Sequence, residues 1–148
     1  MTFTHLLVPV DGSDLSDQAV GRALELAGVL GARITFVHAE PGLPVALAGL
    51  GEPMDPRTVE MLVSAGREQS REILVNACRR AEESGIAAER LSLANPMPHE
   101  AIVEAASRVG ADLIVMASHG RRGIGALLLG SETQKVLTHC TLPVLVVR

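Results

Sequence analysis

The sequence predicts an α/β fold: a single doubly wound, five-stranded parallel sheet of order 3-2-1-4-5 with helices on both faces. Two observations point there. Short apolar runs rich in β-branched residues alternate with segments of helical period along the whole chain. Its 148 residues, without a repeat or a shift in composition, make one domain over 1–148. Parallel strands need crossover connections, and right-handed crossovers leave few topologies, of which this order is the simplest.

The elements follow in turn. His5–Val10 is a strand punctuated by Asp11-Gly12-Ser13. From Leu15 the apolar residues Ala19, Val20, Ala23, Leu24, Ala27 and Leu30 recur at helical spacing until Gly31. Arg33–His38 is the second strand, and Glu40–Pro56, rich in proline and glycine, is a long loop expected to act as a mobile flap or docking surface. A helix follows with Val59, Leu62, Val63, Gly66, Ile73, Leu74, Ala77, Cys78 and Ala81 on one face. Arg67, Glu68, Arg71, Glu72, Arg79 and Glu83 give its other face to solvent. Gly85 ends that helix and Arg90–Ala94 is a weak strand. Pro98 opens the third helix, Asp112–Met116 is a strongly apolar strand, and Ala117–Gly130 is a glycine-bearing loop. Ser131–His139 is a short helix whose Ser131-Glu132-Thr133-Gln134 reads as a capping box, and Pro143–Val147 is the last strand.

Composition narrows the function. No uncharged run approaches the ~20 residues of a membrane-crossing helix, and Met1–Val10 lacks a secretory pattern. Cys78 and Cys140 form no CxxC pair, so a reduced, cytoplasmic setting is expected. A net charge of −4 and only Phe3 and Phe36 as aromatics argue against a nucleic-acid partner. His5, His38, His99, His119 and His139 show no metal-ligand spacing, and His38 reads as a structural, hydrogen-bonded residue. No nucleophile–base arrangement stands out, so no catalytic residues are assigned and the chain is not expected to be an enzyme, beyond at most slow hydrolysis. A phosphoryl-accepting receiver would need an acidic residue ending the third strand, where Leu93-Ala94-Asn95 stands instead.

In the expected order the first and fourth strands meet at the switch point, where ligands of such sheets bind beyond the strand ends. Asp11-Gly12-Ser13 and Ala117–Ser131 converge there. Gly120 and Gly123 let backbone N–H groups approach an anion, Gly130-Ser131 leads into a helix N-terminus, and Arg121 and Arg122 supply cationic forks. Asp11 can accept from a base amino group or a ribose hydroxyl, or can simply cap the first helix. The combination suits a nucleotide.

These segments resemble the universal stress proteins. The resemblance rests on Val8-Pro9-Val10-Asp11-Gly12-Ser13, Val37-His38, Pro98-His99-Glu100, Ser118-His119-Gly120-Arg121 through Leu128-Leu129-Gly130-Ser131, and Pro143–Arg148. The ATP-binding pattern G-x2-G-x9-G-[ST] of that family reads here as Ala117-x2-Gly120-x9-Gly130-Ser131. The resemblance implies a cytoplasmic, dimeric module that binds ATP, with Mg²⁺ as a companion ion. Pro9, Val10 and Asp11 would line the nucleoside pocket, and the Ala39 backbone would meet the adenine edge. Met116, Ala117, Ser118, His119 and Gly120, with Arg121, Arg122 and Gly123, would wrap ribose and phosphates. Gly130, Ser131 and Thr133 would hold phosphate by N–H and hydroxyl groups.

Two residues depart from the pattern. A Cβ at Ala117 costs roughly 1–2 kcal/mol if the position needs positive φ, and nothing if φ is negative. Glu132 sets a carboxylate beside the phosphates unless it turns away or meets a cation. Both motivate an alternative, a dimeric interaction module without nucleotide. The last strand, apolar on both faces at a sheet edge, is expected to pair with a second copy.

Overall fold

The computed structural model describes residues 2–42, 53–120 and 128–148. Strands β1 (His5–Pro9), β2 (Arg33–Glu40), β3 (Ala88–Ala94), β4 (Leu113–Ala117) and β5 (Val144–Val147) alternate with helices α1 (Asp14–Leu30), α2 (Pro56–Glu83), α3 (Pro98–Val109) and α4 (Ser131–His139). All strand pairs are parallel, in the order β3-β2-β1-β4-β5. The register sets His5 against Arg33, Leu6 against Leu113 and Ile114 against Val144.

Alternation along the strands makes two cores. Leu6, Val8, Ile34, Phe36, Leu113 and Val115 face α1 and α2. Leu7, Val37, Ile114 and Met116 face α3 and α4. Leu6, Leu7 and Val8 are completely buried in succession, so β1 is covered on both sides. Burying each such side chain is worth about 1.5–3 kcal/mol, which fixes β1 as the central strand. α1 starts at Ser13, whose hydroxyl accepts the Ser16 N–H, and ends on Gly31 in the left-handed conformation.

Two expectations need correction, and a third falls outside the described residues. β3 begins at Ala88 rather than Arg90, because backbone pairing of Ala88 with Ile34 extends it through polar residues. The apolar stripe expected along all of α2 is buried only at Ser70, Leu74, Ala77 and Ala81, while Met61, Leu62 and Val63 are exposed. Length explains this. A helix of 28 residues runs about 42 Å, whereas the 8 residues of β2 span only about 26 Å, so the first turns of α2 overhang the sheet. Finally, the helix-breaking Glu40–Pro56 segment joins β2 to α2, but residues 43–52, and with them the expected flap, lie outside the described residues.

At the amino end of the sheet, the Asp112 carboxylate ties β1 to β4. It accepts the Thr4 N–H (2.8 Å), the Thr4 hydroxyl (2.8 Å) and the His5 N–H (3.0 Å). Burial works against its ionisation, yet these donors hold its pKa below the usual value. The His5 ring is 4% exposed, with Nε2 hydrogen-bonded to Thr35 Oγ1 at 2.8 Å. Burial, helped by the Arg33 charge, lowers its pKa against the opposing pull of Asp112 and Glu89.

The folded state therefore takes up a proton at His5 less readily than the unfolded chain, which does so near the ordinary value of 6.5. His5 contributes its full stability above that pH, and the contribution drains away as pH falls through it. The urea midpoint is expected to drop between about pH 7.5 and about pH 5.5, and to drop less in His5→Gln, which cannot titrate. Equal slopes for the two proteins would remove His5 as the cause.

Candidate functional site

The carboxyl ends of β1 and β4 open side by side, and two short segments leave them. After Pro9, which is half-buried, Val10 still donates to the Val37 carbonyl (2.9 Å). The chain then turns on its own side chains. Asp11 Oδ1 accepts the Ser13 N–H (2.9 Å), and the Asp11 N–H donates to Ser16 Oγ (3.2 Å). Ser13, not Asp11, caps α1, so the Asp11 carboxylate orders the turn at the mouth of the crevice.

The facing segment is closed by backbone carbonyls. Ser118 donates its N–H to the Val147 carbonyl (2.7 Å), and its own carbonyl accepts the Gly130 N–H (2.8 Å). The buried Thr133 hydroxyl donates toward the Ala117 and Ser118 carbonyls (3.1 and 3.0 Å). Thus the loop that leaves β4 at residue 118 returns to it at residue 130. Two close approaches are made at glycines. A Cβ on Gly130 would sit 2.9 Å from the Ser118 carbonyl oxygen, and one on Gly120 would sit 2.8 Å from Asp11 Oδ2. The second contact joins the two segments across the crevice.

Gly130 is the N-cap of α4, and Ser131 is its first helical residue. The capping box read from the sequence does not form. Ser131 sits one position too late to cap, and Gln134 turns its side-chain amide to the Leu129 carbonyl (2.9 Å). The first helical bond runs from the Gln134 N–H to the Gly130 carbonyl (3.0 Å), so the N–H groups of Ser131, Glu132 and Thr133 stand ahead of the ladder. They form the positive end of α4, with Ser131 exposed.

The structure sorts the expected site residues by what part of each can reach a ligand. Asp11, Ser118, His119, Gly120, Gly130 and Ser131 gather around the crevice, and His119 Nδ1 is hydrogen-bonded to Ser118 Oγ at 3.0 Å. Val10 packs in the α1/α2 core and Met116 in the α3/α4 core, which leaves their backbones for the site. The Thr133 hydroxyl, expected to donate to phosphate, is engaged inside the loop instead. Ala117 is buried, and among the described residues no non-glycine has positive φ, so its methyl group carries no backbone strain. Arg121, Arg122 and Gly123 lie outside the described residues.

Ala39, the residue expected at the base edge, lies between two residues, His38 and Glu40, that a polar chain links. His38 Nδ1 meets Ser70 Oγ (2.8 Å), Ser70 meets Ser92 Oγ (2.8 Å), and Ser92 donates to Glu40 Oε1 (2.7 Å). His38 is the structural histidine the sequence suggested. Sequence reading passed over its partner Ser70, although a serine in register with Leu74, Ala77 and Ala81 on a buried stripe was a signal.

Glu132 turns to the neighbouring helix, where Oε2 accepts the His99 N–H and faces His99 Nδ1, both at 2.9 Å. Its Oε1 accepts from Lys135 (3.0 Å). Burial alone would raise its pKa, but Lys135 and His99 together bring it below the ordinary carboxylate value. Its stabilising contacts persist above that value and are lost as pH falls through the lowered one.

Gly130→Ala is expected to cost about 1–3 kcal/mol, because its Cβ meets a backbone carbonyl that is itself hydrogen-bonded. Gly120→Ala is expected to cost under about 1 kcal/mol, because the atom it meets is the end of a carboxylate that can swing aside. Denaturant midpoints of the two variants check the order, and a larger loss in Gly120→Ala would contradict it.

The whole chain has known relatives. It matches the Universal stress protein family over residues 2–148. It is 36% identical to a universal stress protein of Thermus aquaticus over 146 residues, covering 99% of both chains. A structure from the same family in Burkholderia pseudomallei is 30% identical with a TM-score of 0.76, covering 98% of this chain and 96% of that one. Another universal stress protein, solved in complex with cAMP, is 28% identical with a TM-score of 0.68, covering 100% of this chain and 98% of that one. The fold and the strand-end crevice thus coincide with a family match along the chain's length, and the protein belongs to the universal stress protein family.

Proposed function

We propose that this chain binds an adenine nucleotide, with ATP as its ligand, and acts as a dimeric, nucleotide-dependent binding or signalling module rather than as an enzyme. The observation that carries the reading is the double close approach at Gly120 and Gly130, which brings Asp11, the loop backbone and the start of α4 to one crevice. Phosphate oxygens fit the N–H groups that stand ahead of the helical ladder of α4 and the positive end of its dipole. The Asp11 carboxylate suits the ribose hydroxyls, and the Ala39 backbone suits the base edge. The relative solved with cAMP supports an adenine nucleotide as the class of ligand.

Each reason for the alternative without nucleotide has an answer in the geometry. Ala117 adopts no conformation that needs glycine, and Glu132 is engaged by α3. Mg²⁺ would arrive on the phosphates, since no cluster of three or more candidate ligands occurs among the described residues. Asp11 is held by the Ser13 N–H and Glu132 by His99 and Lys135, so neither carboxylate is poised to activate water. β5 lies at the sheet edge with Leu145 exposed, which supports pairing with a second copy there. Among the described residues no helix is long and apolar enough to cross a membrane, which is compatible with a cytoplasmic setting.

Calorimetric titration of nucleotide-free protein with ATP, AMP and GTP tests the reading. ATP is expected to bind more tightly than about 100 μM, or about −5.5 kcal/mol, with AMP weaker. No binding at millimolar ATP would overturn it. Ala117→Gly is expected to leave ATP affinity within about twofold while costing about 0.5–1 kcal/mol of stability. A large gain in affinity would show that the methyl group obstructs the site.

A further inference from the structure

Glu132 follows Ser131 in the first turn of α4, the turn that offers its N–H groups to phosphate. A free carboxylate there would oppose an anionic ligand. In the structure it is bound at three points. α3 begins at Pro98, which has no N–H, and its N-cap Met97 supplies no side-chain acceptor. The His99 N–H is therefore the first donor α3 presents, and Glu132 accepts it from 33 residues away. The His99 ring, only 8% exposed, adds a second contact to the same oxygen. Lys135, one turn further along α4, takes the other oxygen.

We propose that His99 and Lys135 are positioning residues for the phosphate site, acting through Glu132. They hold its carboxylate on the start of α3 and compensate its charge, so that the start of α4 stays favourable to anions. This rests on the nucleotide reading above and adds to it a named cause for tolerance of a carboxylate in the phosphate turn. The compensation concerns phosphate charge alone. It predicts a penalty that depends on phosphates and vanishes when Glu132 is neutral.

Titrations of the full chain with ATP and with adenosine test it. The double variant His99→Ala/Lys135→Met is expected to lose about tenfold in ATP affinity and under about twofold in adenosine affinity. Adding Glu132→Gln is expected to return ATP affinity to within about twofold of the unaltered protein. Lys135 is 46% exposed, so Lys135→Met alone, with and without Glu132→Gln, gives the same cycle at lower amplitude without a risk to folding. Equal losses for ATP and adenosine, or no recovery with Glu132→Gln, would reduce the clasp to helix packing and overturn the proposal. Failure of the unaltered protein to bind ATP would be seen in the first titration, and would overturn the nucleotide reading and this inference together.

Discussion

The burial of β1 on both faces is the constraint from which the rest follows. Leu6, Leu7 and Val8 have no exposed surface, so β1 must be flanked by strands and covered by helices above and below. β2 takes one side and β4 the other, which sends the chain in opposite directions from the centre of the sheet. At that reversal the helices that follow β1 and β4 depart to opposite faces, and among the described residues no helix fills the gap between the strand ends. The crevice is thus a result of how the hydrophobic strands are ordered.

Among the described residues, main-chain groups frame the crevice. Carbonyls of Ala117, Ser118 and Val147 anchor the loop from inside, and Gly120 and Gly130 bring it close to Asp11 and to the Ser118 carbonyl. Polar side chains in the first turn of α4 serve the frame. Thr133 locks the loop, Gln134 braces Leu129, and Glu132 completes a neighbouring helix. Such a frame fixes the direction of the N–H groups at the start of α4.

Sequence legibility followed the range of the interaction. The strand order, the two faces and the segments that converge could be read because they depend on local periodicity and general crossover handedness. The α4 boundaries were also legible, but its cap was not. Gly130-Ser131 offers two frames one residue apart, and only the packing of Gly130 on the Ser118 carbonyl selects between them. The overhang of α2 escaped because periodicity reports a face and not the length of the sheet beneath it. The partners of Glu132 and His38 escaped for a simpler reason. They lie 33 and 32 residues away, and no local pattern specifies such pairs.

The borrowed cap on α3 has a consequence for how the fold is assembled. Most helices carry their start signal within a few residues and can flicker into being before anything docks. α3 lacks a side-chain cap of its own, and its first donor waits for a carboxylate that arrives only when α4 is seated. The start of α3 and the crevice-forming end of α4 therefore open and close as one cooperative unit. The His99 amide proton becomes a natural reporter of that opening, because its exchange with solvent requires the two helices to part.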